Sequence, residues 1–123
     1  MIGYVTIGAT DVEAAMPFYD AVLGAIGYKR AFFSGGWAGY GPEGSDKQDV
    51  FVCPPFEGEA RGGNGIMIAF KAVSQEAVGA AHAAGLAAGG KDEGAPGARS
   101  DQFYGAYLRD ATGNKICIFH SPG

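Results

Sequence analysis

One period constrains this sequence more than any other feature. At a constant offset of 63 residues the chain repeats itself, and each copy reads strand, helix, then three strands. The offset sets Tyr4 over Met67, Thr6 over Ala69, Asp11 over Ser74 and Leu23 over Leu86. One helix can cover only one face of a small sheet, so each copy leaves its other face open. With 123 residues, two such copies make a single α+β domain that can bury a core. Duplicated units of this kind meet about an approximate two-fold axis. Their open faces then bound a shared concave surface, which is where a small molecule would bind.

Residues 2–8, IGYVTIG, alternate between glycines and predict the first strand. Thr10 and Glu13 form a T-x-x-E capping box, and Asp11 adds negative charge to the first turn. Val12, Met16, Tyr19, Leu23 and Ile26 recur at helical spacing. Pro17 removes one backbone donor from that helix and can bend it. Strands are predicted over 28–33, 37–41 and 49–53. The stretch PPFEGEARGGN is a linker, rich in proline, glycine and charge. The order restarts with GIMIAFK at 65–71. Ser74 is a good N-cap, with Val73 and Val78 placed as a hydrophobic staple. Val78, Ala81 and Leu86 mark the buried face of an alanine-rich helix that stops at Gly89-Gly90. Strands are predicted over 91–93, 104–109 and 115–120, the last two joined by the turn DATGN. The domain therefore divides into a first module at 1–55, a linker at 56–64 and a second module at 65–123.

Bulk properties narrow the partners. The formal charge is −4 and the pI about 5.0, which argues against nucleic acid and anionic membrane. No apolar run approaches the roughly 18 residues of a membrane span. No basic stretch leads into an apolar one near Met1, so no secretory signal is expected. Cys53 and Cys117 form no C-x-x-C pattern, and a cytoplasmic chain with two free thiols is the expectation. Neither His82 nor His120 has a partner evident in the sequence, so no catalytic triad or Cys-His pair can be argued. The glycine-rich stretches lack the strand-loop-helix setting of a phosphate loop.

Strand alternation assigns the faces. Val5 and Ile7 go under the first helix, leaving Tyr4 and Thr6 on the open side. Ile66, Ile68 and Phe70 are the helix-facing set of the second module, leaving Met67 and Ala69 open. In KICIFH, Ile116 and Ile118 go to the core, and Lys115, Cys117 and Phe119 to the other face.

Three stretches carry a family resemblance: TDVEAAMPFYDAVLGAIGYKR, GIMIAFKAVSQEAV and FYGAYLRDATGNKICIFH. With them the chain resembles the vicinal oxygen chelate superfamily, which includes glyoxalase I, bleomycin-resistance proteins and extradiol dioxygenases. The resemblance implies two βαβββ modules forming a curved, barrel-like mixed sheet around a cleft. It also implies a homodimer. Metalloenzymes of the family hold a divalent ion with His and Glu on cleft-facing strands. By resemblance those ligands would stand at Tyr4, Met67 and Cys117, with a carboxylate near Asp49. A phenol, a thioether and one thiol do not make a site for a hard cation. The expectation is thus a protein without metal or other cofactor that binds a small organic molecule. Its binding residues would be Tyr4, Thr6, Met67 and Cys117, with Trp37, Phe51, Arg99 and Tyr104 around them. The alternative is a metal-dependent lyase, isomerase or dioxygenase using displaced ligands such as Asp49, Glu57 or His120.

Overall fold

The computed structural model describes residues 1–122 and holds ten elements. They are β1 (Val5–Gly8), α1 (Val12–Gly24), β2 (Tyr28–Ser34), β3 (Trp37–Pro42) and β4 (Val50–Cys53), then β5 (Met67–Lys71), α2 (Gln75–Ala87), β6 (Lys91–Ser100), β7 (Phe103–Arg109) and β8 (Lys115–His120). The strands form two four-stranded sheets of order β1-β4-β3-β2 and β5-β8-β7-β6. In each, the first and last strands of the module pair in parallel and the other pairs are antiparallel. The 63-residue period is kept through both helices, since it carries Val12–Gly24 onto Gln75–Ala87 and the start of β2 onto the start of β6. Among the described residues no helix is long and apolar enough to cross a membrane.

The helix starts show how local sequence sets this register. Asp11 caps α1 by accepting from the Ala14 N–H at 3.1 Å, and Ser74 caps α2 through the Ala77 N–H at 3.1 Å. The expected cap at Thr10 is not used. Its hydroxyl instead accepts from the Ala60 N–H at 2.9 Å, which ties the linker to the first module. Pro17 lies inside α1, and the helix runs on to Gly24.

Four more expectations are corrected. Gly65 has φ +90°, a break that delays β5 to Met67 and leaves Ile66 69% exposed, outside the core. Val73 is 85% exposed, so it makes no staple with the buried Val78. Leu86 turns outward, and the inner face of α2 is Val78, Ala81, His82 and Gly85. β6 runs to Ser100 instead of stopping at Glu93. It is an edge strand with three register shifts, a setting that tolerates its glycines and Pro96.

One core serves both modules. Ile7, Val22, Leu23, Tyr40 and Val52 join Val78, Ala81, Leu108, Ile116 and Ile118 in a single buried cluster. Among the described residues the backbones of the two sheets stay apart, and α1 packs on α2 across the modules. Gly85 makes that approach possible. A Cβ there would sit 2.5 Å from Leu108 Cδ1 and 2.9 Å from Val22 Cγ2. Gly85→Val is therefore expected to lower stability by about 1–3 kcal/mol through overpacking, despite its favourable helix term. A urea titration followed by circular dichroism reads this directly.

The β7–β8 turn supplies a polar tie across the same junction. Tyr19 on α1 donates its hydroxyl to Asp110 Oδ2 at 2.6 Å, both residues being buried. Asn114 donates from Nδ2 to Asp110 Oδ2 and to the Gly8 carbonyl, each at 2.9 Å.

Candidate functional site

The open face of the first sheet is aromatic. Ala38, Tyr40, Val50 and Val52 turn to the core, so Phe51 turns the other way. The rings of Tyr4, Trp37 and Phe32 have centroids 5.4, 5.9 and 6.3 Å from that of Phe51. Phe51 is half-buried at the centre, whereas Tyr4 and Trp37 remain 61% and 39% exposed. Gly39 pairs with Phe32 across the strands, and a Cβ at Gly39 would meet the Phe32 ring at 2.4 Å. The glycine is therefore a bed on which the ring lies. Thr6, the register partner of Phe51, completes this face.

The open face of the second sheet is different. Ala106, Leu108, Ile116 and Ile118 are in the core, which directs Tyr107 and its partner Cys117 to the open side. Cys117 has no exposed surface, and the face is presented by Tyr107 above it. The Arg99 guanidinium carbon lies 5.3 Å from the Tyr107 ring centroid, and Lys115 Nζ lies 5.5 Å from it. Burial pushes the Cys117 thiol above its usual range; Tyr107, Arg99 and Lys115 oppose that shift without cancelling it. Burial likewise raises Cys53. Both thiols are free and stay protonated near neutrality. Phe103 and Phe119 stack at 5.1 Å on the same face.

Two hollows border the first sheet, and the smaller of them reaches the second module. One, of about 590 Å³, is lined by Thr6, Trp37, Cys53, Pro55 and the fully exposed Phe56. The other, of about 250 Å³, holds Thr6 beside Lys115, with Arg61 and Ile66 from the chain leading into β5. Thr6, the register partner of Phe51, belongs to both, and the second hollow places it on one wall with Lys115.

The structure thus groups Tyr4, Thr6, Trp37 and Phe51, and groups Arg99 with Cys117 beneath Tyr107. Met67 is 43% exposed at the β5 edge, opposite Lys115. Tyr104 does not join Arg99. It alternates with Tyr107, packs against the core side, and lines a separate hollow with His120 and Ser74. Phe32 and Tyr107 enter the site unmarked by the sequence, and Lys115, which alternation sends to the open face, joins them. The signal for Phe32 was an interior strand glycine, Gly39, across from an aromatic residue.

The donor set does not fit a metal at the family position. Tyr4 and Met67 offer a phenol and a thioether, and Cys117 is enclosed. The displaced candidates are placed elsewhere: Asp49 Oδ2 accepts the Tyr28 hydroxyl at 3.0 Å, and His120 Nδ1 sits 3.1 Å from the Ala72 carbonyl. Glu57 is exposed in the linker. Asp49 Oδ1 is enclosed with no hydrogen-bond partner. Among the described residues, however, no three His, Cys, Asp or Glu side chains gather where an ion could be held.

A family model described as a glyoxalase-like domain matches residues 4–119. The chain is similar in structure to a glyoxalase/bleomycin resistance protein from Albidiferax ferrireducens T118, with 39% identity over 97% of each chain and a TM-score of 0.87. It is also similar to a glyoxalase-related enzyme from Fulvimarina pelagi, with 19% identity over 99% of this chain and 88% of that one and a TM-score of 0.77. A glyoxalase/bleomycin resistance protein/dioxygenase family enzyme from Burkholderia phytofirmans PsJN shares 22% identity over 98% of each chain at a TM-score of 0.73. At their lower identity these last two show likeness of fold alone. No curated protein matches the chain.

Proposed function

The chain belongs to the glyoxalase-like domain family, and from that premise we propose that it is a metal-independent binding protein for a small organic molecule. The ligand lies on the open face of the first sheet. One observation carries this reading: four aromatic rings, centred on Phe51, gather on a face the core does not use, and Tyr4 and Trp37 stay exposed. Clustered apolar surface left open to water marks a place where something binds. Flat rings in edge-on contact offer walls for a flat or apolar guest, and the Tyr4 hydroxyl adds a polar tip. Thr6 supplies a further hydroxyl beside Phe51. Binding here needs no electrophile, which suits the donors present.

The test is a thermal-shift screen of the wild type against metabolites and antibiotics. A bound compound at about 100 times its Kd would add roughly 2.7 kcal/mol of stability. Phe51→Ala and the Tyr4→Ala, Met67→Trp double variant are expected to lose at least half of any shift. A compound that stabilises wild type and both variants equally would place its site elsewhere and remove the proposal.

A further inference from the structure

Resting on that reading, we infer that the ligand is an anion: a small aromatic carboxylate, its flat body on the Phe51 rings and its charge met by Arg99 and Lys115. The inference starts from charge. The chain is acidic, with 13 Asp and Glu against 9 Lys and Arg. Of the nine Lys and Arg side chains, two form ion pairs among the described residues. Arg30 pairs with Asp20, and Arg109 pairs with Glu93. Arg99 and Lys115 make no ion pair among the described residues, yet both are brought to one ring, that of Tyr107.

Arg99 is also held in place. Its Nη1 donates to the Gly97 carbonyl at 2.7 Å and its Nη2 to the Ala95 carbonyl at 2.8 Å. A guanidinium has five N–H donors, so the remaining ones are uncommitted. Gly94 and Gly97 leave the trough it occupies, because a Cβ at either would stand 3.1 Å from a guanidinium nitrogen. A side chain fixed by backbone carbonyls and an aromatic face has already given up its rotamer freedom. It can therefore meet a carboxylate with little further ordering. The Glu93 carboxylate, which could have neutralised this region, is taken by Arg109 at 2.9 Å.

The two halves lie within reach of one guest. Thr6 lines the hollow that holds Trp37 and also the hollow that holds Lys115. An apolar body on the first sheet thus extends its charged end toward the second. An inorganic anion would use only the cationic half, and a neutral aromatic only the other.

Titration calorimetry of the full chain with 2-naphthoate, 2-naphthamide and 2-naphthylmethylamine separates these terms on one ring system. The carboxylate is expected to bind at least about tenfold more tightly than the amide, as charge-assisted hydrogen bonds allow, and the amine more weakly than either. The double variant Arg99→Gln, Lys115→Gln is expected to weaken naphthoate at least about tenfold and the amide far less. Phe51→Ala is expected to weaken both. Equal affinity for carboxylate and amide in wild type, or tightest binding of the amine, overturns the anion inference and leaves the binding site standing. Inorganic phosphate binding as tightly as naphthoate overturns the aromatic part. Failure of all three naphthyl probes to bind overturns this inference together with the reading it rests on.

Discussion

Asp110→Ala is expected to lower the unfolding free energy by about 3–4 kcal/mol, among the largest losses any single side chain here can cause. The carboxylate is 7% exposed and accepts from four donors. Oδ1 takes the N–H groups of Gly113 and Asn114 at 2.9 and 2.8 Å, which closes the β7–β8 turn. Oδ2 takes the Tyr19 hydroxyl and the Asn114 amide, which anchors that turn to the first module. Removing the acceptor leaves a buried phenol without a partner, and that desolvation penalty exceeds the net worth of the bonds themselves. It also frees Asn114, whose second bond to the Gly8 carbonyl spans the modules. Asp110→Asn retains one oxygen acceptor and is expected to lose less. Guanidinium denaturation of both variants, in a double-mutant cycle with Tyr19→Phe, separates the turn from the junction. Additive losses would show that the tie between Tyr19 and Asp110 is not what the carboxylate supplies.

The parts of this fold that were legible in the sequence are those set by period and by local competition for backbone groups. Val5, Ile7, Ile116 and Ile118 alternate with polar or small residues, and the structure buries that set or packs it on the core. Asp11 and Ser74, paired by the 63-residue offset, are the two helix caps. The period fails after β6 begins, because bulges absorb residues without changing composition. β6 reaches Ser100 with three register shifts, and no alternation announces them. Ile66 and Leu86 have the residue type of a core but not its place. The positive φ at Gly65 turns the first away, and the second falls beside the inner face of α2, which Val78, Ala81, His82 and Gly85 occupy.

The site divides along the same line. Which residues leave the core follows from alternation, so Tyr4, Thr6, Phe51 and Cys117 could be given a face. What alternation lacks is height above the sheet. Cys117 points to the open side and yet is wholly covered, because Tyr107 is its register partner and carries the larger side chain. The same limit hid Gly39, the glycine that seats the Phe32 ring. A glycine reads as a turn unless the cross-strand partner is known, and partners are set by register.

The second large effect is alkaline unfolding, and it too rests on phenols held by carboxylates. Tyr19 and Tyr40 are fully buried and donate to Asp110 and Asp20 at 2.6 and 2.7 Å. Burial first, then the adjacent carboxylate, raises both above the ordinary tyrosine value, and the nearby Arg30 relieves Tyr40 only in part. Tyr28, beside Asp49, is pushed up to about 12 for the same reasons. Below a pH of about 10 folded and unfolded chains both keep these protons, so the tyrosines contribute their full stability. Above it the unfolded chain releases them and the folded chain does not. Unfolding is then favoured, by about 1.4 kcal/mol per pH unit for each buried phenol. With Tyr19 and Tyr40 acting together, the loss between pH 10 and 12 is expected to reach roughly 2.7 kcal/mol per unit, enough to unfold a domain of ordinary stability. Urea midpoints from pH 8 to pH 11.5 measure the slope. Tyr40→Phe keeps the ring and removes the proton, so it is expected to be less stable at pH 8 yet to flatten the alkaline slope by about 1.4 kcal/mol per pH unit. An unchanged slope in both Tyr40→Phe and Tyr19→Phe would show that these two buried hydroxyls do not set the alkaline transition.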